Sequence, residues 1–353
     1  MKKLTVALPG REYDILIQSG LLDRAGQECR KVLPKTRRIF LVTDHHVSRL
    51  YGQRAVDSLT QAGFEVCVLV IQAGEKSKSV QSLTQIWNEA MEFGLTRTDA
   101  IVALGGGVVG DLAGFAASTI LRGIPFVQIP TTLLAQVDSS VGGKVAVDLP
   151  AGKNLVGAFW QPKLVLMDPD TLNTLDDKTF ADGMAEVIKY GCIWDSDFFH
   201  LLQVCRDRAG VMERIEEVLH TCCAIKARVV LEDELDTGLR MILNFGHTLG
   251  HAYEKAYHYE TYTHGQAVAA GMVLAAQLGE ELKLTEEGTK AQIEKLTSSY
   301  GLPTAIACSK EEYSAAIGLD KKGSGADITV IFLKKLGETL PTKMPKKELL
   351  ELL

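Results

Sequence analysis

Ala100-Ile101-Val102-Ala103-Leu104-Gly105-Gly106-Gly107-Val108-Val109-Gly110-Asp111 reads as a strand that runs into a glycine-rich turn and then a helix. Gly105, Gly107 and Gly110 have the spacing of a dinucleotide turn, where missing Cβ atoms let backbone and a helix N-terminus approach a pyrophosphate. The stretch departs from the full fingerprint, because no acidic residue follows about twenty positions later and the nearest is Asp138. Outward from it, the first half alternates β-branched runs with amphipathic segments, the pattern of an α/β domain with a largely parallel sheet. Thr5 to Leu8 and Asp14 to Ile17 read as a hairpin around Pro9-Gly10. Arg38 to Thr43, Phe64 to Ile71, Ala100 to Leu104, Pro125 to Ile129 and Lys163 to Asp168 read as strands, and Ser79 to Phe93 as a helix.

From about Thr179 to Leu296 nearly every window has helical periodicity, so the expectation is a Rossmann-like, mostly parallel sheet domain over residues 1–177, followed by an all-helical domain over 178–353. Ile328 to Leu333 is left as a short late strand or part of a lid-like tail. A chain of 353 residues suits two domains, and its 46% hydrophobic content is ample for two cores. Seven cysteines without a CxxC pair argue for a reducing compartment, and no apolar signal core or membrane-length run is present, so a cytoplasmic protein is expected. A net charge of −6 disfavours nucleic acid as a partner, and an anionic ligand would need local positive charge.

Asn244-Phe245-Gly246-His247-Thr248-Leu249-Gly250-His251 carries the first metal-capable pair. Four residues apart on a helix, His247 and His251 share a face. Thr248 stands where a zinc protease needs its glutamate base, so that chemistry is excluded. His264 opens a small-residue helix, and Glu186 lies on a helix with Lys189 one turn on. One carboxylate and two imidazoles from three helices would make a zinc site with open positions. Arg240, four before Asn244 and seven before His247, is expected on the same helical face.

Asp44 ends a strand, where it would bind a ribose diol and favour NAD over NADP, or cap a helix. Gly74-Glu75-Lys76-Ser77-Lys78-Ser79 follows the next strand, as a ligand loop or a helix cap. Thr131-Thr132, Asp138 to Lys144 and Gly152-Lys153-Asn154 form a polar, glycine-rich stretch suited to wrapping an anion with backbone N–H groups and lysines. Lys189, Lys226 and Arg240 add positive charge.

These motifs together resemble the 3-dehydroquinate synthase family, in order and over essentially the whole chain. The resemblance implies zinc, with Co2+ as a substitute, on Glu186, His247 and His264. It implies NAD around Asp44, Glu75, Lys78, Gly106, Gly107, Val108, Asp111, Thr131, Thr132, Lys144 and Lys153. Substrate contacts are implied for Asp138, Lys144, Asn154, Lys189, Lys226, Arg240, Asn244 and His251, with Lys321 or Lys322. Arg122 would reach the phosphate site of a second copy, which implies a homodimer. Gln266 stands where the family usually has glutamate. The implied reaction is a phosphate-eliminating cyclisation of an anionic sugar phosphate through transient oxidation by NAD. Rivals are another sugar-phosphate cyclase, a metal-dependent polyol dehydrogenase that releases NADH, and a noncatalytic regulator.

Overall fold

A computed structural model describes residues 1–236, 238–258, 260–317 and 327–353, so Lys321 and Lys322 lie outside the described residues. The chain forms two units, Met1–Leu175 with Leu219–Leu231, and Asp176–Val218 with Glu232–Leu353. The strands are β1 (Lys2–Val6), β2 (Tyr13–Ile17), β3 (Arg38–Asp44), β4 (Glu65–Ile71), β5 (Ala100–Gly105), β6 (Phe126–Pro130), β7 (Lys144–Leu149), β8 (Gly152–Phe159), β9 (Leu164–Met167), β10 (Asp327–Lys335) and β11 (Glu338–Pro345).

Seven of them form the sheet of the first unit in the order β1-β2-β9-β6-β5-β3-β4. The β1–β2 pair is antiparallel and every other neighbouring pair is parallel. Period-two alternation assigns the faces. Phe40, Val42, Ile101 and Ala103 pack on one side with Leu83, Ile86, Val109 and Leu112, from the Val80–Glu92 and Gly107–Thr119 helices. Ile39, Leu41, Val102 and Leu104 pack on the other with Cys29, Ala55 and Leu59. Both faces are covered, which is why these strands read as unbroken apolar runs.

Two hairpins were not legible as such. β7 and β8 pair antiparallel where the composition suggests a polar loop. Their glycines hide a buried Val145-Ala146-Val147 edge, and Val145 packs so tightly on the Gly107–Thr119 helix that a Cβ on Gly114 would lie 2.4 Å from it. The second unit is mostly helical but also carries the β10–β11 hairpin, whose first strand contains the late strand read at Ile328 to Leu333, so it is not all-helical as expected. Val330 to Leu333 are buried without alternation, and Gly337 turns the chain at φ 80°. Among the described residues no helix is long and apolar enough to cross a membrane, and all seven cysteines are free thiols.

Asp99 anchors the entry to the central strands. It is 3% exposed; Oδ1 accepts from the N–H groups of Arg37 and Arg38, and Oδ2 from the N–H and hydroxyl of Thr96. Burial raises its carboxyl pKa, but these donors outweigh it and hold it below the usual value. A depressed folded pKa gives stability that is present above the unfolded value of about 3.9 and is lost as pH falls through the folded one. We expect Asp99→Ala to lower stability at pH 7 by about 2–3 kcal/mol in urea unfolding, with the gap to wild type narrowing below about pH 4. Equal midpoints at pH 7 would contradict this.

Candidate functional site

Three helices of the second unit meet at Glu186. The Asp177–Ile193 helix starts where Asp176 caps Thr179 N–H at 2.7 Å, and its buried face carries Glu186, 0% exposed, and Lys189, 2% exposed. His264 begins the His264–Glu281 helix behind a capping box, in which Thr263 Oγ1 accepts from Gln266 N–H and the Gln266 side chain accepts from Thr263 N–H. Gln266 therefore performs the N3 capping that glutamate would, away from the imidazoles. Gly265 N–H donates to Asp182 at 2.5 Å, and a Cβ on Gly265 would lie 2.1 Å from the Asp182 carbonyl oxygen. That contact sets His264 one helical turn from Glu186 on the adjoining helix.

The Asn244 to His251 run is not one helix. Leu239–Asn244 is a 3-10 turn, Phe245 is extended at ψ 126°, Gly246 is left-handed at φ 78°, and the His247–Ala256 helix starts afresh. Arg240 therefore does not share a helical face with Asn244 and His247, as the spacing suggested. Arg240 is buried at 3% exposure; its N–H donates to Asp233 and its guanidinium to the Glu234 carbonyl. The break follows from packing. A Cβ on Gly246 would meet Met272 Cγ at 2.5 Å, and one on Gly271 would meet the Gly246 carbonyl oxygen at 2.1 Å. Only glycine lets the two histidine helices touch backbone to backbone here.

The result is a cluster of donors. Glu186 Oε1 is 3.2 Å from His247 Nε2 and 3.6 Å from His264 Nε2, and Lys189 Nζ contacts Oε2 while donating to the Leu243 carbonyl at 2.8 Å. Burial acts to raise the Glu186 pKa, but Lys189 and then His247 hold the carboxyl well below its usual range. Burial likewise acts to lower His264, yet Glu186 and Glu254 raise it to about 10. One ligand atom from each of Glu186, His247 and His264 lies within 4.8 Å of the others. Among the described residues neither Glu186 oxygen has a hydrogen bond of good geometry, although both are buried. A carboxylate and two imidazoles fit zinc or cobalt by donor type.

A second set of potential donors, His251, Glu254 and His264, lies alongside. His251 is 59% exposed at its side chain, and Asn244 is exposed. Glu254 escaped the sequence reading, although its spacing of three from His251 and seven from His247 puts it on their helical face.

The first unit places several of the other expected residues after the carboxyl ends of its strands. β5 stops at Gly105 and the next helix begins at Gly107. A Cβ on Gly106 would lie 3.1 Å from Thr132, and one on Gly107 3.1 Å from Ser139 Oγ, so glycine lets these side chains close on the turn. Val108 continues that first helical turn. Thr131, at the end of β6, is 2% exposed with no hydrogen-bond partner for its hydroxyl among the described residues, and Thr132 Oγ1 accepts from Ala135 N–H. Asp44, at the end of β3, accepts from the N–H groups of His46 and Val47, which is the cap reading of this residue. Ser79 likewise caps the helix after the Glu75 turn.

Lys78 is 5% exposed and donates to Asp111 at 2.6 Å and to Asn154 Oδ1 at 2.5 Å. Burial opposes its charge and Asp111 restores it, so its pKa is raised. Asn154 sits at φ 57° and its N–H donates to Asp148, a residue that no motif singled out. Lys226 donates to Asp138 twice, at its carbonyl oxygen and at Oδ1. Lys144 is exposed and Lys153 half-buried on the β7–β8 hairpin. Leu121, Arg122 and Gly123 have successive positive φ of 50°, 67° and 109°, a strained turn that presents Arg122 at the surface.

Comparison with known proteins adds an independent line. The model of the 3-dehydroquinate synthase N-terminal region matches residues 68–182, and that of the C-terminal region matches residues 183–323. A relative from Clostridium beijerinckii named 3-dehydroquinate synthase is 49% identical over 340 residues, which is 96% of this chain and 97% of its own. Of solved structures, a 2-deoxy-scyllo-inosose synthase complexed with carbaglucose-6-phosphate, NAD+ and Co2+ is similar at TM-score 0.89 and 26% identity, over 99% of this chain and 98% of that one. The 2-epi-5-epi-valiolone synthase ValA from Streptomyces hygroscopicus subsp. jinggangensis 5008, with NAD+ and Zn2+ bound, is similar at TM-score 0.85 and 27% identity, over 96% of each chain.

The close approach of the two histidine helices is open to test. Gly246→Ala forces a left-handed alanine, at about 1–3 kcal/mol, and drives its methyl into Met272. We expect a lower unfolding temperature and at least tenfold weaker Zn2+ binding in a chelator competition. Wild-type values for both would show that this contact does not set the His247 position.

Proposed function

Since the chain belongs to the 3-dehydroquinate synthase family, we propose that it converts 3-deoxy-D-arabino-heptulosonate 7-phosphate to 3-dehydroquinate and phosphate. The observation that carries the reading is the buried Glu186 carboxylate with His247 and His264 turned onto it. Identity of 49% to a named 3-dehydroquinate synthase, against 26–27% to the two other cyclases, favours this cyclisation over theirs.

Glu186, His247 and His264 would hold zinc or cobalt, and the Gly105–Gly107 turn with Asp44, Glu75, Lys78, Asp111, Thr131 and Thr132 would hold NAD. When bound, the metal supplies Lewis acidity toward substrate hydroxyls and the dinucleotide supplies reversible hydride acceptance. Three protein ligands leave the metal room for substrate oxygens. Lys189 keeps Glu186 ionised and bonds the Leu243 carbonyl, fixing the backbone beside Asn244. Arg240 is proposed to face the substrate carboxylate, because a guanidinium gives a planar fork of donors. Asp138 and Lys226 orient one another, and Asn154 is held by Lys78. With both groups held there, the proposed cyclisation would comprise oxidation, phosphate elimination, reduction, ring opening and aldol closure. The lysines position the substrate's phosphate, the group the family resemblance makes the base, and take no proton themselves. Cytoplasmic residence and a homodimer, with Arg122 serving a second copy, complete the proposal.

Phosphate release from the acidic seven-carbon sugar phosphate, with NAD and zinc added, tests the assignment. NADH absorbance should not accumulate during turnover, since the hydride returns to the same molecule. Stoichiometric NADH release would instead mark a polyol dehydrogenase. In metal analysis, Glu186→Ala, His247→Ala and His264→Ala should each lose zinc while His251→Ala keeps it. Zinc lost from His251→Ala and retained by His247→Ala would reverse the ligand assignment.

A further inference from the structure

Glu254 has no part in the reaction just described, yet it is a carboxylate at 5% exposure. Burying such a charge is costly unless the groups around it answer it. Each of its oxygens faces an imidazole. Oε1 is 3.4 Å from His264 Nδ1 and Oε2 is 3.8 Å from His251 Nε2. His264 is thereby placed between two carboxylates, with Nε2 on Glu186 and Nδ1 on Glu254.

An imidazole that gives one nitrogen to a metal keeps its proton on the other, and the partner of that N–H fixes the ring. His264 therefore has two alternatives. With Nε2 as the ligand it works with Glu186 and His247; with Nδ1 as the ligand it works with Glu254 and His251. His247 decides between them. Its Nδ1 lies 3.2 Å from the Phe245 carbonyl oxygen, which accepts a hydrogen bond from Nδ1–H and leaves Nε2 facing Glu186 at 3.2 Å. His247 and His264 then have the same arrangement, Nε2 toward Glu186 and Nδ1–H toward an oxygen. His251, exposed and 3.8 Å from its carboxylate, offers no comparable geometry.

We propose that Glu254 is a positioning residue that accepts the Nδ1–H of His264, turning Nε2 to the metal, and that draws His251 aside from the donor set. The proposal rests on the metal reading of Glu186, His247 and His264. It also explains why the His247 helix carries an acidic residue at the third position after His251. Glu254 is reached from the His264 helix only because Gly250 lets the two helices approach, where a Cβ would lie 3.1 Å from the Ala267 carbonyl.

Zn2+ and Co2+ titrations against a competing chelator test this on purified wild type, Glu254→Gln, Glu254→Leu and His251→Ala. Glutamine keeps an acceptor oxygen without the charge, and leucine removes both. We expect zinc affinity to fall about tenfold in Glu254→Gln and about a hundredfold in Glu254→Leu, with His251→Ala within about threefold of wild type. The visible spectrum of bound Co2+ should shift in both Glu254 variants, a readout that a purely structural role would leave unmoved. Should Glu254→Leu not fold, the affinity and spectrum of Glu254→Gln decide alone. Wild-type affinity and spectrum in the Glu254 variants would overturn the proposal. So would metal loss in His251→Ala and Glu254→Leu with retention in Glu186→Ala, which would make Glu254 a ligand. A wild type that takes up no zinc would instead overturn the metal reading beneath it.

Discussion

A carboxylate with no access to water holds the second unit's site together. Glu186 is fully buried, and ionising a group there is unfavourable unless positive charge is fixed close by. Lys189 supplies that charge from the next turn of the same helix, and two imidazoles complete it from two other helices. Each of those helices must then end or bend where it does. The box of Thr263 and Gln266 starts one helix at His264, and the left-handed Gly246 starts the other at His247. The chemistry of the cluster follows from the same constraint, because a site that concentrates negative charge and imidazole lone pairs away from water is one that a divalent cation answers.

Glycine has a second use in the first unit. There glycines in the turn after β5 and the helix that follows let Thr132 and Ser139 pack close to the backbone, and the Thr131 hydroxyl, without a hydrogen-bond partner among the described residues, lies at the end of the neighbouring strand. Lys78 ties Asp111 on that helix to Asn154 on the β7–β8 hairpin, so residues far apart in sequence form one polar group. An anionic ligand entering there would meet groups already fixed by one another.

Much of this was legible because strong periodicities coincide with the function. Strands buried on both faces are continuous apolar runs, and β3, β4, β5 and β6 appeared within a residue or two of their positions. His247 and His264 stood out by their place beside the Asn244 to His251 run and at a helix start, Glu186 by the family resemblance, and the structure does bring these three together. What was missed depends on tertiary context. The break at Phe245–Gly246 is imposed by Met272 and Val268 across the helix pair, so the face assigned to Arg240 could not be read locally. β7 and β8 were hidden by the glycines and polar residues that flank them. Glu254 looked like any helix surface glutamate until the His264 ring lay over it, and Asp44, equally balanced between ribose contact and cap, makes the cap's hydrogen bonds.

Anomalous diffraction at the zinc edge from crystals grown with Zn2+ and NAD tests the central claim most directly. A single strong peak bounded by Glu186, His247 Nε2 and His264 Nε2, with Glu254 on the far nitrogen of His264, is the predicted result. A peak held by His251 and Glu254, or none near Glu186 at full zinc loading, would contradict it.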